Sequence, residues 1–167
     1  MKKTLQILSF IPLFFALTNC QKGDKGPAGP AGPAGNANVT ATNYIASTWT
    51  NGSSFWYIDL DVPALTSSAQ SGAAVQVFFS TNNGTDWNAV PYTAVATTNY
   101  FMGFVTQQGA VEVQWTYNGV GNGSSPTSFF GTTLKFKVVV IPASKIKPGL
   151  NTQSFDELKK EYSLNEQ

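Results

Sequence analysis

Apolar and polar residues alternate in short runs along most of the chain, and Asn-Gly and Gly-Ser pairs separate these runs. An alternation with a period of two places successive side chains on opposite faces of a strand. Asn-Gly pairs between such runs favour hairpin turns, because both residues tolerate a positive φ. The pattern therefore predicts an antiparallel all-β domain. The predicted strands are Thr42–Trp49, Phe55–Val62, Ala73–Ser80, Asp86–Tyr92, Tyr100–Gln107, Ala110–Tyr117 and Thr133–Ile141.

The number of these runs also indicates how the strands pack. About seven strands in roughly 100 residues is the usual size of a two-sheet sandwich. We therefore predict an antiparallel β-sandwich over residues 38–150, with a closed barrel as the alternative. The alternation directs Trp56 and Trp115 into the core, where large side chains supply buried area. Lys135 and Lys137 alternate with the apolar residues of the last strand and are predicted to lie on a solvated strand edge.

The segments outside the strands carry two further signals. Residues 118–128 are rich in Gly, Asn and Ser and are predicted to form a long loop. In the tail, residues 151–167, Ser154 and Glu157 have the spacing of a capping box. The apolar residues of this tail follow at near-helical spacing, so we predict a short C-terminal helix that docks on the sandwich, with a partner-binding helix as the alternative. These apolar residues are Phe155, Leu158 and Tyr162.

The N-terminus has the layout of a bacterial secretion signal. It begins Met-Lys-Lys, and residues 5–17 form an apolar run that is shorter than the roughly 20 residues needed to span a bilayer. The run ends with Leu-Thr-Asn-Cys20, which resembles the lipobox of bacterial lipoproteins, where a lipid is attached to the cysteine. The resemblance implies a signal peptide over residues 1–19 and lipidation of Cys20. An ordinary secretory signal with an incidental cysteine is the alternative.

Residues 20–37 contain triplets that begin with glycine, at positions 23, 26, 29, 32 and 35. Collagen needs this period because only glycine fits at the crowded axis of three polyproline-II chains. The segment therefore predicts a collagen-like spacer, either a single semi-rigid polyproline-II segment or a short triple helix. We expect a monomer, because so few triplets offer little to offset the entropy of joining three chains. A trimer through these triplets is the alternative.

Composition excludes several kinds of function. The 167 residues include no histidine and one cysteine, and the ten basic residues are all lysine. These numbers exclude a disulfide framework, a histidine-based catalytic triad and a Cys/His zinc site. A net charge of +1 with thinly spread lysines gives nucleic acid little to bind. We therefore expect no nucleic-acid partner, no cofactor and no metal.

The predicted β domain is also poor in groups for acid–base chemistry. Its acidic residues are Asp59, Asp61, Asp86 and Glu112. Asp59 and Asp61 share a face of one strand and are predicted to be solvated, with a calcium site as the alternative. An enzyme would have to work with these four carboxylates, so we expect a non-enzymatic protein. A carbohydrate-active or other hydrolytic enzyme on a sandwich scaffold is the alternative function.

Two tryptophans, Trp49 and Trp87, lie beside predicted turns. An exposed aromatic ring at a turn can stack on a neutral partner such as a sugar, so both are candidate ligand-binding residues. Residues 80–87, Ser-Thr-Asn-Asn-Gly-Thr-Asp-Trp, resemble the Asp-box hairpin of sialidases and related β-propellers, with asparagine in place of the aspartate. That hairpin is architectural in those proteins. The resemblance therefore implies a folded turn and transfers no sialidase activity.

The layout as a whole resembles small collagen-like lipoproteins of the Bacteroidota. The resemblance rests on the lipobox cysteine, the Gly-Asp-Lys-Gly-Pro-Ala repeats, the Phe-Lys-Val-Val-Val-Ile-Pro strand at 136–142 and the Phe-Asp-Glu-Leu-Lys-Lys-Glu-Tyr tail at 155–162. It implies a lipid-anchored surface or outer-membrane protein. We expect it to be exposed at the cell surface, with an orientation toward the periplasm as the alternative. We expect its β domain to be an interaction module whose partner is a glycan or a surface protein.

Overall fold

The computed structural model describes residues 38–67, 72–94, 99–118 and 123–164. The predicted signal peptide 1–19, the lipidation site Cys20 and the collagen-like spacer 20–37 lie outside the described residues. The β domain consists of two antiparallel sheets packed around one core, which confirms the predicted all-β sandwich. The strands are β1 (Thr40–Ala46), β2 (Thr50–Asn51), β3 (Phe55–Asp61), β4 (Ala74–Ser80), β5 (Asn88–Val90), β6 (Tyr92–Ala94), β7 (Tyr100–Gln107), β8 (Ala110–Tyr117) and β9 (Leu134–Ile141).

The four-stranded sheet has the order β1-β9-β4-β5, so strands from the two ends of the domain are neighbours. Thr42 pairs with Val138, which also pairs with Val77 of β4. β9 is therefore a central strand. Its run from Val138 to Ile141 is buried on both faces, which is typical of a strand that is covered on both sides.

The five-stranded sheet has the order β2-β3-β8-β7-β6. The Asn51-Gly52 turn forms as predicted, and the N–H of Gly52 donates to the backbone oxygen of Phe55 at 2.8 Å. This turn joins only the two-residue β2 to β3. The predicted strand Thr42–Trp49 begins two residues too late and extends too far, because β1 runs from Thr40 to Ala46 and the chain then crosses to the other sheet.

The predicted strand Asp86–Tyr92 is divided between the sheets. β5 pairs with β4 in the four-stranded sheet, and β6 pairs with β7 in the five-stranded sheet. Pro91 lies between them and has no N–H to donate to a neighbouring strand. The strand ladder is interrupted at this position, and the chain changes sheet there.

Trp115 of β8 is buried in the core between the sheets, as its alternation predicts. Its indole N–H donates to the backbone oxygen of Ser124 at 3.1 Å. The ring of Tyr100 stacks on Trp115 with centroids 4.9 Å apart, and its hydroxyl accepts the N–H of Ser124 at 2.6 Å. These contacts attach Ser124, in the connection that follows β8, to the core.

A helix, α1 (Pro126–Phe130), lies where residues 118–128 were predicted to form a loop, so that prediction is wrong at its C-terminal end. The Ser125 side chain accepts the N–H of Ser128 at 3.3 Å, and proline occupies the start of the helix. Gly131 ends the helix with a φ of 67°. The helix packs Phe129 against Trp115, with ring centroids 5.2 Å apart.

The C-terminal helix, α2 (Phe155–Tyr162), covers part of the outer face of the four-stranded sheet. The Ser154 side chain accepts the N–H of Glu157 at 3.3 Å, which confirms the predicted cap. Its docking is also confirmed, because its apolar residues form a buried cluster with residues of the sheet; this cluster includes Phe78, Val139, Ile141, Phe155, Leu158 and Tyr162. A 3-10 turn, Ala143–Lys145, leads out of β9.

Candidate ligand-binding cleft

The hairpin between β4 and β5 forms one wall of the candidate site. The buried Ser80 hydroxyl accepts the N–H groups of Asn82 at 3.3 Å and Gly84 at 2.8 Å, and it donates to Oδ1 of Asn82 at 2.7 Å. This Oδ1 also accepts the N–H of Asp86 at 3.0 Å, and Nδ2 of Asn82 donates to the Asp86 carboxylate at 2.5 Å. Ser80 and Asn82 therefore hold the turn together, and the Asp86 carboxylate is engaged within it.

Gly84 and Trp87 determine how this hairpin meets the sheet. Gly84 has a φ of 93°, in the region that favours glycine. A Cβ at this position would lie 3.4 Å from Cζ2 of Trp87, so the indole packs directly against the turn. Trp87 also packs on Phe155 of α2, with ring centroids 5.9 Å apart. Its half-buried ring is thus held by the hairpin on one side and by the helix on the other.

Beside Trp87, an open cleft of about 330 Å³ lies on the outer face of the four-stranded sheet. Its floor comes from β1 and β9, where Asn43 pairs with Lys137 and Ile45 pairs with Lys135. The volume is at the lower end of the roughly 300–1,000 Å³ that is usual for small-molecule sites. The lining residues whose side chains could interact with a ligand include Asn43, Ile45, Asn83, Trp87, Lys135 and Lys137.

Lys137 lies in the floor of the cleft with only 2% of its surface exposed. Its Nζ is 4.6 Å from the ring centroid of Trp87 and 4.0 Å from that of Phe155, within the roughly 6 Å range of a cation–π interaction. The predicted solvated edge is wrong for Lys137, because β9 is a central strand and the hairpin and α2 cover this position. Lys135 is half-buried and lines the same cleft.

Of the two tryptophans predicted beside turns, Trp87 lines the cleft and Trp49 does not. Trp49 is only 8% exposed, and its ring meets Phe136 edge-on with centroids 5.9 Å apart. The expected exposure of Trp49 is wrong, because the residues after β1 cross between the sheets and carry this ring into the core. Its indole N–H has no hydrogen-bond partner among the described residues. Trp87 alone keeps the candidate ligand-binding role.

The strand carboxylates lie on the other sheet. Asp59 of β3 is directly opposite Glu112 of β8, and Asp61 lies two residues further along the same face. Oε1 of Glu112 accepts Nε2 of Gln114 at 2.6 Å, whereas Asp59 and Asp61 are exposed. Within the described ranges, no group of three His, Cys, Asp or Glu side chains could hold a metal ion. These carboxylates share one face of the five-stranded sheet, and none of the three lines the cleft.

Tyr44 of β1 also lines the cleft and connects the two sheets. Its hydroxyl donates to the backbone oxygen of Asp61 at the end of β3. Burial raises the pKa of Tyr44 above its ordinary value of 10.0; a hydrogen bond with Thr42 lowers it, and the charge of Asp61 raises it. The hydroxyl therefore stays protonated at neutral pH and holds β1 in place under the cleft.

The cleft combines an indole ring, two carboxamides and two ammonium groups, and no carboxylate occurs among its described lining residues. Such groups can bind a ligand through stacking, hydrogen bonds and charge. Sequence reasoning missed the cleft because β1 and β9, which form its floor, are far apart in the chain. The available signal was a pair of lysines, two residues apart, in an otherwise apolar strand.

Comparison with protein-family models, with curated proteins and with solved structures finds no significant match. In the part of the chain that the structure describes, no helix has the length and apolarity needed to cross a membrane. The functional interpretation therefore depends on the geometry of the cleft and on the sequence.

Proposed function

We propose that the chain is a non-enzymatic lipoprotein of the outer membrane that displays its β-sandwich at the cell surface as an interaction module. Lipid on Cys20 supplies the anchor, and the spacer 20–37 separates the β domain from the membrane. The support for this anchor is the lipobox and the resemblance to collagen-like lipoproteins of the Bacteroidota. The observation that carries the binding role is the cleft beside Trp87, with its indole, amide and ammonium groups.

A glycan is the ligand class that fits this cleft best. An indole ring packs on the C–H face of a sugar, and the carboxamides of Asn43 and Asn83 can both donate to and accept from hydroxyl groups. A surface protein is the other partner that the sequence indicates. The small volume of about 330 Å³ favours a glycan unit over a protein surface, which buries a far larger area.

A hydrolytic enzyme is the second candidate, and one observation favours it. Asp59 and Glu112 are cross-strand neighbours, and glycoside hydrolysis uses two carboxylates that flank the scissile bond. Incubating the full chain with every glycan that it binds tests this alternative. The display proposal expects no cleavage products, whereas cleavage that disappears in both Asp59→Asn and Glu112→Gln would establish the enzyme instead.

Glycan-array binding by the full chain tests the role of the cleft. We expect the wild type to bind glycans and Trp87→Ala to lose at least tenfold in affinity, because the aromatic wall is removed. Phe101→Ala is the matched control, since Phe101 is an exposed aromatic residue on the five-stranded sheet. Equal loss in the two variants, or no binding by the wild type, would contradict the proposed site.

Metabolic labelling with a fatty acid tests the anchor. In a bacterial host, label should enter the wild type and not Cys20→Ala. Brief protease treatment of intact cells should then degrade the β domain, because the proposal places it outside the cell. Equal labelling of both proteins would contradict lipidation at Cys20, and full protection from protease would contradict surface display.

A further inference from the structure

We infer that the cleft beside Trp87 takes an acidic saccharide, a sugar that carries a carboxylate or a sulfate group. This inference rests on the proposed function, because it specifies the ligand of the same cleft. The ammonium groups of Lys135 and Lys137 both belong to lining residues, and the described lining includes no aspartate or glutamate. The lining residues thus carry two positive charges and no negative one, although the whole chain carries a net charge of only +1.

Lys137 supplies the positive charge in the floor of the cleft. On the same face of β9, the next side chains, Val139 and Ile141, are apolar and buried under α2. Removing an ammonium group from water is costly, and an apolar side chain would fill the space between the rings of Trp87 and Phe155 without that cost. The two rings offset part of this cost through cation–π contacts, and the ammonium group adds a fixed positive charge to the floor of the cleft.

Lys135 supplies a second, more accessible charge. It lies two residues before Lys137 on the same strand face, a spacing of roughly 6.6–6.8 Å along the strand. Its Cδ lies 3.9 Å from the position that a Cβ on Gly84 would take, so its stem packs near the hairpin. One ammonium group is thus buried in the floor and the other belongs to a half-exposed residue. Both attract an oxyanion, more strongly in a partly desolvated cleft than in bulk water.

The remaining groups fit the neutral part of a sugar. The carboxamides of Asn43 and Asn83 match ring hydroxyls, and Trp87 offers a surface for C–H groups. Ile45, which is 67% exposed, adds an apolar rim. A volume of about 330 Å³ suits a small ligand. A uronic acid and a sulfated sugar both carry an oxyanion on a polyhydroxylated ring. This chemistry matches the ammonium, carboxamide and indole groups of the cleft.

Calorimetric titration of the full chain in non-ionic detergent tests the inference with three probes: galacturonic acid, galactose 6-sulfate and galactose. We expect at least one acidic sugar to bind tenfold or more tightly than galactose, with an affinity that falls as salt is added. The acidic sugar that binds more tightly shows whether the cleft prefers a carboxylate or a sulfate group. Lys135→Gln should reduce the preference for the acidic sugar to less than threefold, and Lys160→Gln, the same charge change on an exposed residue of α2, should leave it unchanged.

The outcomes separate the inference from the proposed function. Equal binding of galactose and both acidic sugars, lost in Trp87→Ala, would overturn the acidic preference and leave the glycan site intact. No binding of any sugar would overturn both. Binding of a hexaglutamate peptide without binding of sugars would also overturn the saccharide. Lys137→Met, which fills the space between the two rings with an apolar chain, is a second check: if it folds and keeps the full acidic preference, the role given to Lys137 is wrong.

Discussion

The hairpin that carries Trp87 depends on one buried hydroxyl. In Ser80→Ala, the N–H groups of Asn82 and Gly84 lose their acceptor, and Oδ1 of Asn82 loses a donor. Ser80 is 0% exposed, so water does not readily replace its hydroxyl. A hydrogen bond contributes about 1 kcal/mol, and an unsatisfied buried group costs about 1–3 kcal/mol. We expect a loss of about 2–3 kcal/mol of unfolding free energy, a decrease in Tm of roughly 4–12 °C.

Urea unfolding of the full chain, followed by tryptophan fluorescence, measures this loss. Thr85→Ala is the matched control, because the Thr85 hydroxyl belongs to the same hairpin and donates to the backbone oxygen of Asn82 at 3.0 Å, but is exposed. Water can replace an exposed hydroxyl, so this variant should lose less than about 0.5 kcal/mol. Folded Ser80→Ala should also bind glycan more weakly. Equal stability of the two variants would refute the central role of Ser80.

Three further predictions concern stability. Trp115→Ala should lose about 3–5 kcal/mol in urea unfolding, and Phe101→Ala less than about 1 kcal/mol, because only Trp115 is fully buried; similar losses would contradict the core assignment. Glu112→Gln should gain about 0.2–1 kcal/mol, because it removes a like charge directly opposite Asp59; a loss would contradict that repulsion. Burial raises the pKa of Tyr44, and a hydrogen bond to a glutamate of α2 raises that of Lys147. Both groups hold their protons more tightly in the folded state, so their contribution to the unfolding free energy should be constant below about pH 10 and should decrease as the pH rises further. In Tyr44→Phe, the urea midpoint should fall less over the same rise in pH.

Local patterns were enough to predict most of the strands and the C-terminal helix. In β8, the alternation of Val111, Val113 and Trp115 with polar residues matches their burial, because one face of the strand packs on the core. The cap at Ser154 also follows from spacing alone. These features depend on neighbours within a few residues, and such neighbours are visible in the sequence.

Long-range pairing could not be predicted in the same way. The alternation in β1 does not indicate that its partner is β9, some 90 residues away, and the pairing of β9 with both β1 and β4 is what makes Lys137 part of a central strand. Trp49 looks like a turn residue until the crossing between sheets is known. The helix α1 was missed because its signals, Ser125 before proline and Gly131 after it, are also typical of a loop. The cleft depends on the first of these, because β1 and β9 form its floor and the hairpin between β4 and β5 forms its wall.

The central claim is that the cleft beside Trp87 holds the ligand, and a structure of the protein bound to its strongest glycan from the array tests it most directly. We predict that the sugar contacts Trp87 and that its charged group lies nearest to Lys135. The claim would be contradicted by a sugar bound on the outer face of the five-stranded sheet, beside Phe101 or the carboxylates of Asp59 and Glu112. Such a structure would place the ligand-binding site on that face instead.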